Sequence, residues 1–286
     1  MQLIKKNIII NIIKILLFIG QNTIFGRGKF RKILIFFLNV LLLNSKLKKN
    51  KLSYFICKIN STPFYFYPDQ KIGPKVWFGR NENYEIKFAK SLLSNDFVFF
   101  DIGANFGLYT MNIAKLMHNF PNSKIISIEP NNLSYKRLIK NLSLLLKKNN
   151  KIFTQVKTEK SAIGNKNLTT KLYHDHDYAV SSLIKSKNKQ KYSTVNSKKL
   201  LDIIKKHNIK KITLIKIDIE GFEDRALLNF FQNAKKSLYP SYVIIEHSNK
   251  KNWKVDIIKY IISKGYKKIW NNHNNSILKF KKLASN

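Results

Sequence analysis

An α/β domain built on a mostly parallel sheet is the fold this sequence predicts, on three observations. Short apolar runs that carry an acid at or next to their end recur at Phe97–Ile102, Lys124–Glu129, Thr213–Asp218 and Tyr242–Glu246, and such runs are strands buried on both faces. Helical spacing alternates with them through most of 97–264, which requires crossover helices on both faces of the sheet. The last two strand-like segments, Tyr266–Trp270 and Ser276–Phe280, are joined only by the turn-rich Asn271–Asn275. That is too short for a crossover, so they pair as an antiparallel hairpin.

The chain opens with Met1-Gln-Leu-Ile-Lys-Lys6 and the apolar run Ile8–Ile19, the basic start and apolar stretch of a signal peptide. Lys14 interrupts the run, and no small-x-small cleavage site follows. Ile33–Leu43 is a second apolar stretch of 11 residues, short of the roughly 20 that a membrane-crossing helix needs. Lys and Arg flank both segments. They either pack on the α/β domain or a second subunit, or lie as a peripheral contact on an anionic membrane surface through residues 1–50.

Leu52–Ile59 and Pro63–Tyr67 are rich in β-formers and read as a small strand pair, with Pro68-Asp69 and Gly73-Pro74 as turns. Asn83–Leu93 has helical spacing, with Tyr84, Phe88 and Leu92 on one stripe, and Ser94-Asn95-Asp96 stops it. Helices are expected over Leu108–Met117, Asn132–Lys148, Ser197–His207, Glu223–Ala234 and Trp253–Lys264, with Asn132 as an N-cap. Phe153–Ile163 and Thr170–Tyr173 read as strand material, and Lys185–Lys191 as a polar loop. The division that follows is an N-terminal helical and β extension, 1–76, and an α/β domain, 77–286.

Hydrophobic residues make up 44% of the 286 positions and aromatics 13%, enough for a large core and unlike a disordered chain. The net charge of +37 alone would point to nucleic acid or an anionic surface. Arginine stands only at positions 27, 31, 80, 137 and 225, however, and Arg is the residue of bidentate phosphate and base contacts. Abundant Lys, Asn and Ile share AT-rich codons, so the charge reads as a solvated surface rather than a nucleic-acid footprint. The single cysteine, Cys57, excludes an intrachain disulfide and a cysteine-rich metal site, which fits a cytoplasmic protein.

Asp101-Ile-Gly-Ala-Asn-Phe-Gly107 joins the first buried strand to its helix, where open α/β sheets bind ligands. It departs from the dinucleotide fingerprint at Asn105 and Leu108. Close backbone approach at Gly103 and Gly107, with an acid at Asp101 to hold an ammonium or ordered water, suits the methionyl end of S-adenosylmethionine better than a pyrophosphate. Glu129, ending the second strand, is placed to accept from ribose hydroxyls, a task also found in NAD sites.

A second cluster is Lys216-Ile-Asp-Ile-Glu-Gly-Phe-Glu223. Strand alternation would send Lys216, Asp218 and Glu220 to one side, with Gly221 breaking the strand. Methyl transfer to a hydroxyl needs in-line placement and a proton acceptor, for which Asp218 is the first candidate and Glu220 the second. Glu246-His247, ending the next strand, faces the same crevice. His174-Asp-His-Asp177 alternates its histidines and aspartates onto opposite faces, which splits a ligand set, so no metal site is expected.

With these residues in view the chain resembles the FkbM family of methyltransferases. The resemblance rests on Phe99-Phe-Asp-Ile-Gly-Ala-Asn-Phe-Gly-Leu-Tyr-Thr110, Ile128-Glu-Pro130, Ser161-Ala-Ile-Gly164 and Leu214-Ile-Lys-Ile-Asp-Ile-Glu-Gly-Phe-Glu223, and covers roughly 78–250. It implies a Rossmann-like class I methyltransferase fold, a mostly parallel seven-stranded sheet with an antiparallel terminal strand. It also implies S-adenosylmethionine as donor and O-methylation of a sugar or polyketide hydroxyl. By motif position Asp101, Gly103, Ala104, Asn105 and Gly107 would line the methionine and ribose, Glu129 the ribose hydroxyls, and Ala162 and Ile163 the adenine edge. Asp218, Glu220 and Glu223 would stand at the active face, with Glu246 beside them. The acceptor would be a small molecule or a glycan. Phe222 stands where the family usually has a small residue, which points to a different acceptor pocket or helix packing. The competing readings are an RNA methyltransferase and a non-catalytic membrane-surface scaffold.

Overall fold

The computed structural model describes residues 2–22, 32–34, 36–37, 55–67, 83–146, 152–174, 181–185 and 191–281. Chain contacts divide the protein into two compact units, 1–84 and 85–286. The expected boundary at 76/77, the Pro68-Asp69 and Gly73-Pro74 turns, most of Ile33–Leu43, Asp175–Asp177 and most of Lys185–Lys191 lie outside the described residues.

In the N-terminal unit, helix α1 (Gln2–Asn22) precedes a hairpin of β1 (Phe55–Ile59) and β2 (Thr62–Phe66). Asn60 (φ 51°) and Ser61 (φ 64°) are both left-handed, which matches the twist of a two-residue hairpin turn. Every second residue of each strand is buried, and the Phe55 and Phe66 rings stack at 4.8 Å. Helix α1 buries Ile13 and Leu17, one turn apart, and leaves Ile8, Ile12, Ile15 and Phe18 exposed. Among the described residues no helix is long and apolar enough to cross a membrane.

Helix α2 (Asn83–Ser91) spans the boundary at 84/85, and the second unit is organised by a seven-stranded sheet. Its elements are β3 (Val98–Ile102), α3 (Leu108–Ala114), β4 (Lys124–Ile128), α4 (Asn132–Leu146), α5 (Ile152–Gln155) and β5 (Val156–Glu159), then β10 (Leu214–Ile217), α7 (Glu223–Asn233), β11 (Tyr242–Glu246), α8 (Ile257–Ser263), β12 (Tyr266–Asn271) and β13 (Asn275–Phe280). Between β5 and β10 the chain builds a separate four-stranded sheet from β6 (Ala162–Gly164), β7 (Leu168–His174), β8 (Ser181–Ser182) and β9 (Lys191–Lys199), followed by α6 (Leu200–Lys206).

The large sheet runs β12-β13-β11-β10-β3-β4-β5, with β3, β4, β5, β10 and β11 mutually parallel and β13 antiparallel to both its neighbours. This is the Rossmann-like class I methyltransferase fold, including the hairpin at the end. From β3 the chain steps outward to β4 and β5, then returns to the other side of β3 with β10 and β11. The reversal leaves a crevice at the carboxyl ends of β3 and β10, the place where open α/β sheets take ligands. Phe100, Ile102, Ile126, Ile215, Ile217, Val243 and Ile245 are buried under the helices, each worth about 1.5–3 kcal/mol relative to exposure.

Several local expectations differ from the structure: the strand expected from Phe153 starts at Val156, after the short helix α5. The segment 191–199 is a strand and α6 starts only at Leu200, three residues after the expected start at Ser197. Strand β10 ends at Ile217, so the alternation extended through Asp218 and Glu220 does not hold: Glu220 turns left-handed at φ 58°. Helix α8 starts at Ile257 rather than Trp253, because Asp256 caps it by accepting from the Lys259 N–H.

Candidate active site

Five carboxylates stand at or near the carboxyl ends of the parallel strands: Asp101 (β3), Glu129 (β4), Glu159 (β5), Asp218 (β10) and Glu246 (β11). Asp101 is fully buried. Its Oδ2 accepts from the Thr110 N–H at 3.1 Å and the Thr110 hydroxyl at 2.6 Å, which ties the strand to α3. Its Oδ1 is buried with no hydrogen-bond partner among the described residues. Burial pushes Asp101 above its ordinary value, against the Lys216 charge and the Thr110 hydrogen bonds. An ammonium, or a water bridging to one, would satisfy Oδ1.

Between strand and helix, Gly103 (φ 77°), Asn105 (φ 51°) and Gly107 (φ 94°) turn left-handed. A Cβ on Gly103 would stand 1.9 Å from the Asp218 carbonyl oxygen, and one on Gly107 2.6 Å from Leu138 Cδ1. The protein's own packing therefore dictates both glycines. The Gly103 and Ala104 amides donate to the Ile128 carbonyl at 3.0 Å, which pins the loop over β4.

Glu129 closes this half. Its Oε2 accepts from the Asn105 N–H and its Oε1 from the Asn131 N–H, both at 2.8 Å, leaving lone pairs on each oxygen for further donors such as a pair of hydroxyls. Burial pushes its pKa up to about 7, opposed by these two amides and by Lys216. Asn131 also caps α4 through Oδ1, accepting from the Leu133 and Ser134 amides, and reaches Ser181 of β8 through Nδ2. The cap is thus Asn131, one residue before the expected Asn132. Ala162 and Ile163 are buried in β6, and Ile163 belongs to the hydrophobic core, so its side chain packs inward.

The other half collects around the β10 and β11 ends. Lys216, buried beside Asp101 across the β3/β10 pairing, directs Nζ at the Gly103 carbonyl (3.4 Å), Asp218 Oδ2 (3.5 Å) and the Tyr109 ring (5.2 Å). One carboxylate oxygen from each of Asp218, Glu223 and Glu246 lies within 4.8 Å of the others. Glu223 is fully buried: Oε1 accepts from the Ile219 and Gly221 amides, and Oε2 from the Trp253 indole at 2.7 Å. Glu220 stands apart, its Oε2 accepting from Asn249 Nδ2 at 2.8 Å.

Glu246 accepts from the Ser248 N–H through Oε1, while Oε2 is buried without a partner among the described residues. Burial first, then the Asp218 carboxylate, push it up to about 8. The His247 main-chain N–H donates to the Asn274 carbonyl, and burial lowers the pKa of the imidazole. Phe222 packs its ring under Arg225 at 4.8 Å and faces Gly164, so at this position the departure from the family pattern shows up in helix packing. The sequence reading missed Thr110, Asn131 and Trp253, which act through hydrogen bonds that only the fold brings together.

A mostly parallel sheet of this order, closed by an antiparallel strand, is the fold of class I methyltransferases. The methyltransferase FkbM domain model matches residues 101–268, more than half of the chain. The protein belongs to the FkbM methyltransferase family. Among solved structures it is similar to the methyltransferase FkbM from Methylobacillus flagellatus KT, at 16% identity and a TM-score of 0.46, over 71% of this chain and 52% of that one, about half its length. It is also similar to TrmK of M. capricolum in complex with S-adenosyl-homocysteine (15%, TM-score 0.36, 71% and 72% covered). A third is a caffeoyl-CoA O-methyltransferase, so described, from Staphylococcus aureus (14%, TM-score 0.39, 70% and 81% covered). No curated protein matches the sequence.

Proposed function

We propose that the protein O-methylates a hydroxyl of a neutral, hydroxyl-rich acceptor, a sugar of a surface glycan or a related metabolite. The observation that carries this reading is the carboxylate cluster Asp218, Glu223 and Glu246 at the acceptor side, with Glu220 nearby. Carboxylates accept hydrogen bonds from sugar hydroxyls. The same cluster would repel a phosphate backbone at the acceptor side.

In this reading S-adenosylmethionine supplies a methyl group made electrophilic by its sulfonium. Asp101 Oδ1 holds the ammonium end, Glu129 the ribose hydroxyls, the backbone of Gly103, Ala104, Asn105 and Gly107 the chain between them, and Ala162 and Ile163 border the adenine. Asp218, half-buried and within reach of the crevice, takes the acceptor proton as the O–CH3 bond forms and the methyl–sulfur bond breaks. Glu246 orients the acceptor, and Glu220 shapes the loop that carries Asp218. The exposed Ile8, Ile12, Ile15 and Phe18 of α1 support peripheral contact with a membrane surface, to be read by liposome sedimentation.

The test is transfer of labelled methyl from S-adenosylmethionine to a panel of neutral glycosides, bulk tRNA and rRNA. Label on a glycoside oxygen, reduced at least tenfold in Asp218→Asn, is the expected result. Label on RNA alone overturns the reading in favour of a nucleic-acid methyltransferase, and no label with no cofactor binding by folded protein favours the scaffold.

A further inference from the structure

We propose that Asp218, Glu223 and Glu246 bind one hard divalent cation, magnesium, manganese or calcium, and that this ion holds the acceptor hydroxyl. The inference rests on the O-methyltransferase reading and specifies its acceptor side.

Three carboxylates from three elements converge here: Asp218 just past β10, Glu223 opening α7 and Glu246 ending β11. One oxygen of each lies within 4.8 Å of the others. Opposite oxygens around magnesium stand about 4.2 Å apart, and around calcium up to about 5 Å, so the cluster has the scale of one coordination shell. The donors are all oxygen, with no imidazole or thiolate, and that set selects magnesium, manganese or calcium over zinc or copper.

Independent of the cluster's shape, Glu246 is only 9% exposed and its Oε2 accepts no hydrogen bond among the described residues, although like charges face it from Asp218, Glu223 and Glu220. A buried carboxylate oxygen normally has a donor or an ion. The near cation, Lys216, makes a long 3.5 Å contact to Asp218 and shares itself with the Gly103 carbonyl and the Tyr109 ring. Among the described residues no basic side chain forms an ion pair with Glu223 or Glu246. The Trp253 indole orients Glu223 Oε2 and leaves it a lone pair, the arrangement by which an outer hydrogen bond aims a metal ligand.

An ion here has a direct chemical use. A hydroxyl bound to it becomes more acidic, and its proton passes to a carboxylate of the cluster. The hydroxyl oxygen then forms its bond to the methyl carbon as the methyl–sulfur bond breaks, and sulfur keeps the electron pair.

The test uses full-length protein dialysed against EDTA, with manganese binding read by electron paramagnetic resonance and S-adenosylhomocysteine binding by calorimetry. Wild type is expected to bind one manganese ion, displaced by magnesium. Glu246→Gln and the half-exposed Asp218→Asn should each weaken manganese binding at least tenfold while S-adenosylhomocysteine affinity stays within threefold. Folded wild type that binds S-adenosylhomocysteine but none of manganese, magnesium or calcium overturns the proposal, as does equal manganese binding in both variants. Manganese binding without S-adenosylhomocysteine binding would keep the cation site and sink the methyltransferase site instead.

Discussion

The two halves of the crevice handle buried negative charge differently. On the β3/β4 side, Asp101 and Glu129 sit under hydrogen-bond donors fixed by the backbone: the Thr110, Asn105 and Asn131 amides. On the β10/β11 side, Asp218, Glu223 and Glu246 crowd one another; Glu223 is held by the Ile219 and Gly221 amides and the Trp253 indole, while Glu246, like Asp101 on the other side, keeps one oxygen without a partner among the described residues. The first half is preorganised, its geometry set before any ligand arrives, at little reorganisation cost. The second holds charge that an incoming proton, cation or hydroxyl must settle. One half is thus built to bind the same molecule each turnover, the other to respond to what enters.

The strongest way to break this division is at its seam. Gly103 touches both halves, its Cβ position 1.9 Å from the Asp218 carbonyl and its φ 77°. Gly103→Ala should therefore cost about 4 kcal/mol from strain and overpacking together, a fall in Tm of roughly 10 °C. Gly265→Ala is the control: the same left-handed strain (φ 99°), but its Cβ meets only Phe280 Cε2 at 3.4 Å. It should cost about 1 kcal/mol. Equal losses in the two variants by thermal denaturation would show that strain alone, not the contact between the halves, makes Gly103 necessary.

Next in size is Glu129. Glutamine at this position puts an NH2 group against either the Asn105 or the Asn131 N–H, donor facing donor, so Glu129→Gln should weaken S-adenosylhomocysteine binding by about 10- to 100-fold. The sign of the pH dependence follows from the shift. Folding raises this carboxyl from 4.5 to about 7, so the cofactor-free protein loses stability as pH rises between those values. A ribose donates to the ionised form, so binding releases a proton and affinity should climb with pH through about 7 and level off above it. Calorimetry in buffers of different ionisation enthalpy reads the proton directly; a flat profile in wild type would remove Glu129 from the ribose role.

The strand ends were legible in the sequence because burial on both faces writes itself as an unbroken apolar run: Phe97–Ile102, Lys124–Glu129, Thr213–Asp218 and Tyr242–Glu246 all form strands of the large sheet. Strand β9 was not legible. Lys191-Tyr-Ser-Thr-Val-Asn-Ser-Lys-Lys199 has no apolar run, and it is a strand because it pairs with β7 along its length and with β6 at its end. Such pairing partners lie 17 to 35 residues away, beyond any local pattern. At the site, the acids could be placed at the strand ends but their separations could not. Whether Glu220 or Glu246 joins Asp218 depends on the left-handed turn at Glu220, which aims it at Asn249 instead.

Glu159, the fifth strand-end acid, gives the smallest expected effect and the sharpest control on the comparison. It is buried like Glu129 and Glu246, yet paired with basic side chains: Lys206 and His207 bond to Oε1, and Lys198 stands 3.6 Å from Oε2. Burial alone would raise its pKa, but the hydrogen bonds from Lys206 and His207 and the charges of Lys206 and Lys198 overcome that and hold it below its ordinary value. A depressed carboxyl stabilises the folded chain above the unfolded value of 4.5, and that contribution is lost as pH falls through the lower folded value. Its lysine partners are exposed, so solvent screens the pairs and Glu159→Gln should cost only about 1 kcal/mol at pH 7. The deficit should shrink as wild type is titrated below pH 4.5, whereas replacing Glu246, whose pKa is raised, should not destabilise the cation-free protein at all. Denaturant midpoints across that pH range separate the cases. If Glu246→Gln destabilised as Glu159→Gln does, the acceptor-side acid would be compensated by the protein itself, and the contrast between the two halves would disappear.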